Sequence, residues 1–221
     1  MVKCHRCNDV DHKTAPPRCL FLDVTNHKNG LDCVIVGMNP GKASKEEEKR
    51  YREHEKRTYK NVRSVMESSI RGTGAVPYYK RARSLVRKLG WSSILWTEIC
   101  KCQCKREKKE VDGKRRKVST PPSLQTFRTC IANFLEKELD CEETQNMPIV
   151  ALGNAAFTAV AYRFPSRCVI GVPHPSGSRG RKFSSLFEND DAKKGGLRKK
   201  YRLKILDSIR KRECVRIFPD T

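Results

Sequence analysis

The chain has 221 residues and carries 47 Lys+Arg against 25 Asp+Glu, a formal net charge of +22. That length suits a single domain with a sizeable core, and that charge draws polyanions, nucleic acid above all, because contacts to phosphates release counterions. No run approaches the roughly 18 apolar residues of a membrane span, and neither an apolar leader nor a strongly amphipathic membrane helix is evident. We expect a cytoplasmic monomer with nucleic acid as partner and no membrane association. In a reducing compartment, eleven cysteines read as metal or cluster ligands plus surplus thiols rather than disulfides.

Cys4-His5-Arg6-Cys7 opens the chain in a polar, loop-like segment. Pro16-Pro17 precedes a short apolar run at Cys19–Leu22, and Asn29-Gly30 reads as a turn. Asp32–Val36 is β-branched and nearly all apolar, as in a parallel strand buried on both faces. It runs into Gly37-Met38-Asn39-Pro40-Gly41, where two glycines and a proline would fix the Asn39 amide at a pocket rim. Lys45–Arg57 mixes both charge signs and reads as a solvated helix, with Ser44 as N-cap. Tyr78–Leu89 has Ala82, Leu85, Val86 and Leu89 at helical spacing, closed by Gly90.

Ser93–Ile99 is the next strand candidate. Lys101–Val118 then holds nine basic and three acidic residues around Asp112-Gly113, a loop or hairpin. Ser123–Leu139 reads as a helix with Phe127, Cys130, Ile131, Phe134 and Leu135 on one face. Pro148–Gly153 is strand into turn, Asn154–Tyr162 a helix, and Arg167–Val172 a strand ended by Pro173-His174-Pro175. A basic helix from Leu197 to Arg212 follows. Strands alternating with helices predict an α/β three-layer sandwich with a mostly parallel central sheet flanked by helices. In such sheets functional groups gather beyond the strands' carboxyl ends, and three ends carry polar residues: Asn39, Glu98 and His174.

GMNPG at 37–41 resembles the first motif of the uracil-DNA glycosylase superfamily, in the asparagine form of its single-strand-selective and mismatch-specific branches. HPSGS at 174–178 resembles the second motif. ILWTEICKC at 94–102 and PIVALGNAA at 148–156 resemble strands of the iron–sulfur branch, and the likeness spans roughly Cys4 to Ser178. The resemblance implies one domain over 1–221, with an N-terminal cluster-binding segment at 1–20. To this the chain adds a basic insertion at 101–120 and a basic C-terminal segment at 179–221. It implies a structural [4Fe–4S] cluster on Cys4, Cys7, Cys102 and Cys130; Cys100, Cys104 and Cys141 stand near enough to substitute. Thiolate chemistry by itself leaves iron–sulfur and zinc both open.

The implied reaction is hydrolysis of a base–deoxyribose bond after base flipping. His174 would stabilise the departing base and Asn39 would orient water. Met38, Tyr78 and Glu98 would bind the base. Ser176, Ser178, Arg179, Lys114, Arg115 and Arg116 would contact DNA. Glu98 departs from the asparagine that reads uracil in that branch. A carboxylate accepts from the exocyclic amine of cytosine, so the expected base is uracil or a cytosine-derived modified base, including those of some phage DNAs. The alternatives are a non-catalytic nucleic-acid-binding protein on the same fold and a zinc-stabilised RNA-binding protein.

Overall fold

The computed structural model describes residues 7, 10–11, 20–24, 30–38, 45–53, 58–72, 76–111, 114–120, 122–176 and 180–219. In chain order, β1 (Val10–Asp11), β2 (Phe21–Val24) and β3 (Cys33–Gly37) precede helices α1 (Lys45–Glu53), α2 (Tyr59–Arg71) and α3 (Pro77–Lys88). Next come β4 (Ser93–Glu98), β5 (Gln103–Cys104), β6 (Arg106–Val111) and β7 (Lys114–Ser119). Helix α4 (Leu124–Cys130) continues through a π turn (Ile131–Leu135) into α5 (Glu136–Leu139). The rest is β8 (Ile149–Leu152), α6 (Asn154–Arg163), β9 (Val169–Val172), α7 (Gly180–Ser184), α8 (Lys199–Lys211) and β10 (Val215–Arg216).

Six strands form the main sheet in the order β10-β9-β8-β3-β4-β2. Only β2 runs antiparallel to its neighbour, so the α/β class and mostly parallel sheet expected from the strand–helix alternation are what the chain adopts. Every residue of β3, β4, β8 and β9 is buried, because helices cover both faces. Ile35, Ile94, Trp96, Val150 and Ile170 pack against α2, α3, α7 and α8. Val34, Val36, Leu95, Ile149 and Val169 pack against α5 and α6. The order reverses at the β3–β8 pair. From β3 the chain crosses to β4 on one side, and from β8 it crosses to β9 on the other. The crevice beyond their carboxyl ends is where such sheets bind ligands.

Helix α3 begins with Pro77 in its first turn, where the missing N–H costs nothing. It buries Tyr79, Ala82, Leu85 and Val86, and Gly90 (φ +89°) closes it. Arg83 of α3 and Arg71 of α2 both reach the buried Asp23 of β2, at 2.8 and 2.7 Å, which fastens both helices to the antiparallel edge.

Two readings change. The charged stretch before Gly72 hides a second helix, α2, whose Val62, Val65, Met66 and Ile70 form a buried stripe. And α1 is not wholly solvated: Tyr51 is buried, and the buried Glu47 accepts from Ser69. The proposed Ser44 cap lies outside the described residues. The basic stretch after β4 is a two-stranded antiparallel ribbon, β6–β7, with Arg115 opposite Glu110 and Arg116 opposite Lys109. No helix among the described residues is long and apolar enough to cross a membrane.

Candidate active site

His174 follows β9 directly, held between Pro173 and Pro175. Its Nδ1 accepts the Ser176 backbone N–H at 3.3 Å and lies 3.1 Å from the Ser176 hydroxyl. An imidazole nitrogen that accepts carries no proton, so the neutral ring bears its proton on Nε2 and presents a donor there. The Tyr78 ring flanks the imidazole, with centroids 5.2 Å apart and planes at 39°. Tyr78 meets Tyr79 edge-on at 5.0 Å, and Tyr79 meets Trp96 of β4 edge-on at 5.4 Å. A run of aromatic contacts thus ties the site to the core. On another flank of His174 lies Gly153 (φ +96°), where a Cβ would come within 3.4 Å of the His174 Cβ.

Gly37 shows why the first motif begins with glycine. A Cβ there would sit 2.0 Å from Glu98 Oε2 and 2.7 Å from the Tyr78 hydroxyl. The buried carboxylate and the phenol therefore close together on a bare Cα at the end of β3. Main-chain bonds fix this junction, since Ile99 N–H donates to Gly37 O and Cys100 N–H to Met38 O, both at 2.9 Å.

Of the residues expected at the site, Tyr78, Glu98 and His174 converge, Ser176 braces His174, and half-buried Met38 stands at the rim. Asn39, Ser178, Arg179 and Cys4 lie outside the described residues. Lys114, Arg115 and Arg116 lie on β7 of the two-stranded ribbon.

Sequence reasoning missed Arg81. Its Nη1 donates to Pro175 O at 2.6 Å and holds the second motif from below, while Gly180 leaves room for it, since a Cβ there would be 2.7 Å from that nitrogen. The signal was available: Arg81 lies three residues after Tyr78, on the same helix face.

The cysteines form a corner beside this rim. Cys7, Cys100, Cys102 and Cys130 are all buried, and Cys7 packs with Val10 and Cys102. The Cys130 thiol is held down at about 6, chiefly by hydrogen bonding with Cys100. The Lys101 N–H, the Lys101 charge and Cys7 add to this against the opposing effect of burial. Antiparallel pairing of β1 with β5 stitches the N-terminal segment to the stretch that carries Cys102 and Cys104. Among the described residues, no group of three or more His, Cys, Asp or Glu is arranged to hold a metal ion. The thiols are neighbours, and the donor chemistry suits a thiolate-bound group, but the described residues do not complete a cage. Cys141 bonds elsewhere, to Glu138 O and Thr144. Buried Lys101 is engaged by Glu138 at 2.5 Å and by Thr97.

The sequence model of the Uracil DNA glycosylase superfamily matches residues 25–198, more than three-quarters of the chain. No curated protein matches it. The matched span contains β3, β4, β8 and β9 with the Tyr78, Glu98 and His174 cluster at their ends. The chain belongs to the uracil DNA glycosylase superfamily, whose members are DNA glycosylases, hydrolases that act on DNA.

Proposed function

We propose that this protein is a monofunctional DNA glycosylase that extrudes uracil or a cytosine-derived modified base and hydrolyses its bond to deoxyribose, leaving an abasic site. The observation that carries the reading is the His174 hydrogen bond from Ser176, which makes Nε2 the protonated nitrogen of a ring flanked by Tyr78 at the carboxyl ends of parallel strands.

In the reaction the C1′–N bond breaks and its electron pair leaves with the base. Positive charge grows on the sugar and negative charge on the base. His174 Nε2–H donates to a base oxygen and stabilises that anion; one such donor is typically worth about 10²–10³ in rate. Water adds its oxygen to C1′ and loses a proton to solvent, which also reprotonates the base. Asn39 accepts a hydrogen bond from this water and aims it. An amide does not deprotonate water, so turnover is slow compared with a carboxylate at that position. Tyr78 offers the ring against which the base rests. Buried Lys101 is paired with Glu138 and so does not serve as an amine nucleophile.

Glu98 sets the base. As a carboxylate it accepts from an exocyclic amine and favours a cytosine derivative; in its neutral form it reads uracil. Cys4, Cys7, Cys102 and Cys130 would hold a [4Fe–4S] cluster, or zinc in its place, and Cys100 competes with Cys102 through its bond to Cys130. Such a group supplies cross-linking, not chemistry: it fastens the N-terminal segment to the end of β4 and to α4. The β6–β7 ribbon and the segment after residue 179 supply phosphate contacts.

The test is incubation with DNAs carrying uracil, hypoxanthine or modified cytosines, followed by mass spectrometry of the released base. Release of one of these bases by the wild type, lost in Asn39→Ala and His174→Ala, supports the reading. No release from any substrate contradicts it and favours a binding protein.

A further inference from the structure

The family match ends at residue 198, yet the chain goes on to build one more strand at the edge of the sheet. Strand β10 pairs in parallel with β9, with Arg216 opposite Gly171, and Ile217 N–H donates to Gly171 O at 2.7 Å. Val215 and Ile217 pack into the core on the α8 side. Alternation along the strand then sends Arg216 and Phe218 to the opposite, α6 face. There a cavity of about 460 Å³ opens, walled by Asn154, His174, Lys182, Arg216 and Phe218. The Arg216 guanidinium lies over the Phe218 ring, 4.6 Å from its centroid. No Asp or Glu is among the described lining residues.

Two cations, one of them set over an aromatic ring, and an amide around a space of this size suit one nucleotide: phosphate on the cations, base on the Arg216–Phe218 pair. His174 is the shared wall, with Tyr78 against its ring and this cavity also bordered by it. We propose that the cavity is a second nucleotide subsite. It takes the nucleotide next to the extruded one, with its phosphate on Lys182 and Arg216 and its base on the Arg216–Phe218 platform. The assignment to a neighbouring nucleotide rests on the glycosylase reading of His174; the assignment to DNA does not require excision.

The test is fluorescence anisotropy with a labelled, uracil-free single-stranded DNA of about 12 nucleotides, titrated at several salt concentrations. Arg216→Ala should flatten the plot of log affinity against log salt by about 0.7, the loss of one phosphate contact. Phe218→Ala should weaken binding about tenfold without changing that slope, and Phe218→Tyr should restore it. Arg163→Ala removes the same charge at the far end of α6, about 14 Å along the helix from Asn154, and should keep the wild-type slope. Arg216 is exposed and Phe218 half-buried, so both variants should melt as the wild type does. Wild-type binding in Arg216→Ala and Phe218→Ala, or an equal loss of slope in Arg163→Ala, overturns the subsite. If the wild type releases no base but Arg216→Ala and Phe218→Ala lose binding as stated, the subsite stands and the glycosylase reading falls. Base release without these binding losses gives the reverse.

Discussion

The two ends of the sheet use polar side chains in opposite ways. At the amino end of β8 and β9, Arg167 donates to the carbonyls of Leu139, Thr144 and Met147 at 2.7, 2.6 and 2.9 Å. Burial draws its pKa down, yet the guanidinium stays charged and spends its donors on closing a loop. At the carboxyl end, His174, Tyr78 and Glu98 gather where the strand order reverses, and His174 is braced at Nδ1 so that its other nitrogen carries the proton. One end is tied by a single polar group; at the other, polar side chains from three elements meet. Polar residues near strand ends are therefore not equivalent: Arg167 ties one loop together, whereas His174, Tyr78 and Glu98 come from separate elements and meet at strand ends.

If that contrast is right, mutations at the two ends should separate activity from stability. After His174, the largest effect is expected at Asn39. Asn39→Ala should lower single-turnover base release about 100-fold, and Asn39→Asp should raise it about tenfold or more by adding a general base. Glu98→Asn should come next, shifting preference toward uracil over cytosine-derived bases by about tenfold or more, read from competing substrates in one reaction. Arg167→Ala should do the converse: a loss of about 2 kcal/mol in denaturant unfolding with kcat unchanged, because it strips donors from buried carbonyls far from the chemistry. Arg81→Ala should give the smallest change, a few-fold fall in kcat with KM nearly constant. It frees Pro175 O and loosens His174 without touching the base.

Much of this frame could be read from the sequence, for identifiable reasons. Asp32–Val36, Ser93–Ile99, Pro148–Leu152 and Arg167–Val172 lie where β3, β4, β8 and β9 form, since strands buried on both faces must be continuously apolar. Helix α3 was legible from Ala82, Leu85 and Val86 at helical spacing. Short elements were not. The strands β1, β5 and β10 have two residues each, too few for any period, and each exists only through a partner distant in the chain. Helix α2 carried its stripe in plain view, but the flanking charge masked it. Of the predicted helix face, Cys130 and Leu135 are buried, but the π turn after Cys130 advances the helix by an extra residue and Phe134 is only half-buried. At the site, motif spacing pointed to Glu98 and His174. The approach of Glu98 and Tyr78 to the Gly37 Cα, and the hold of Arg81 on Pro175, are tertiary facts without a local signature.

The most direct measurement is the single-turnover rate of base release by His174→Ala, with protein saturating over its best DNA substrate. A fall of about 10²–10³ relative to wild type, with an unchanged melting temperature, is what an Nε2–H donor to the leaving base requires. Equal rates in the two proteins would contradict it, whatever base is released.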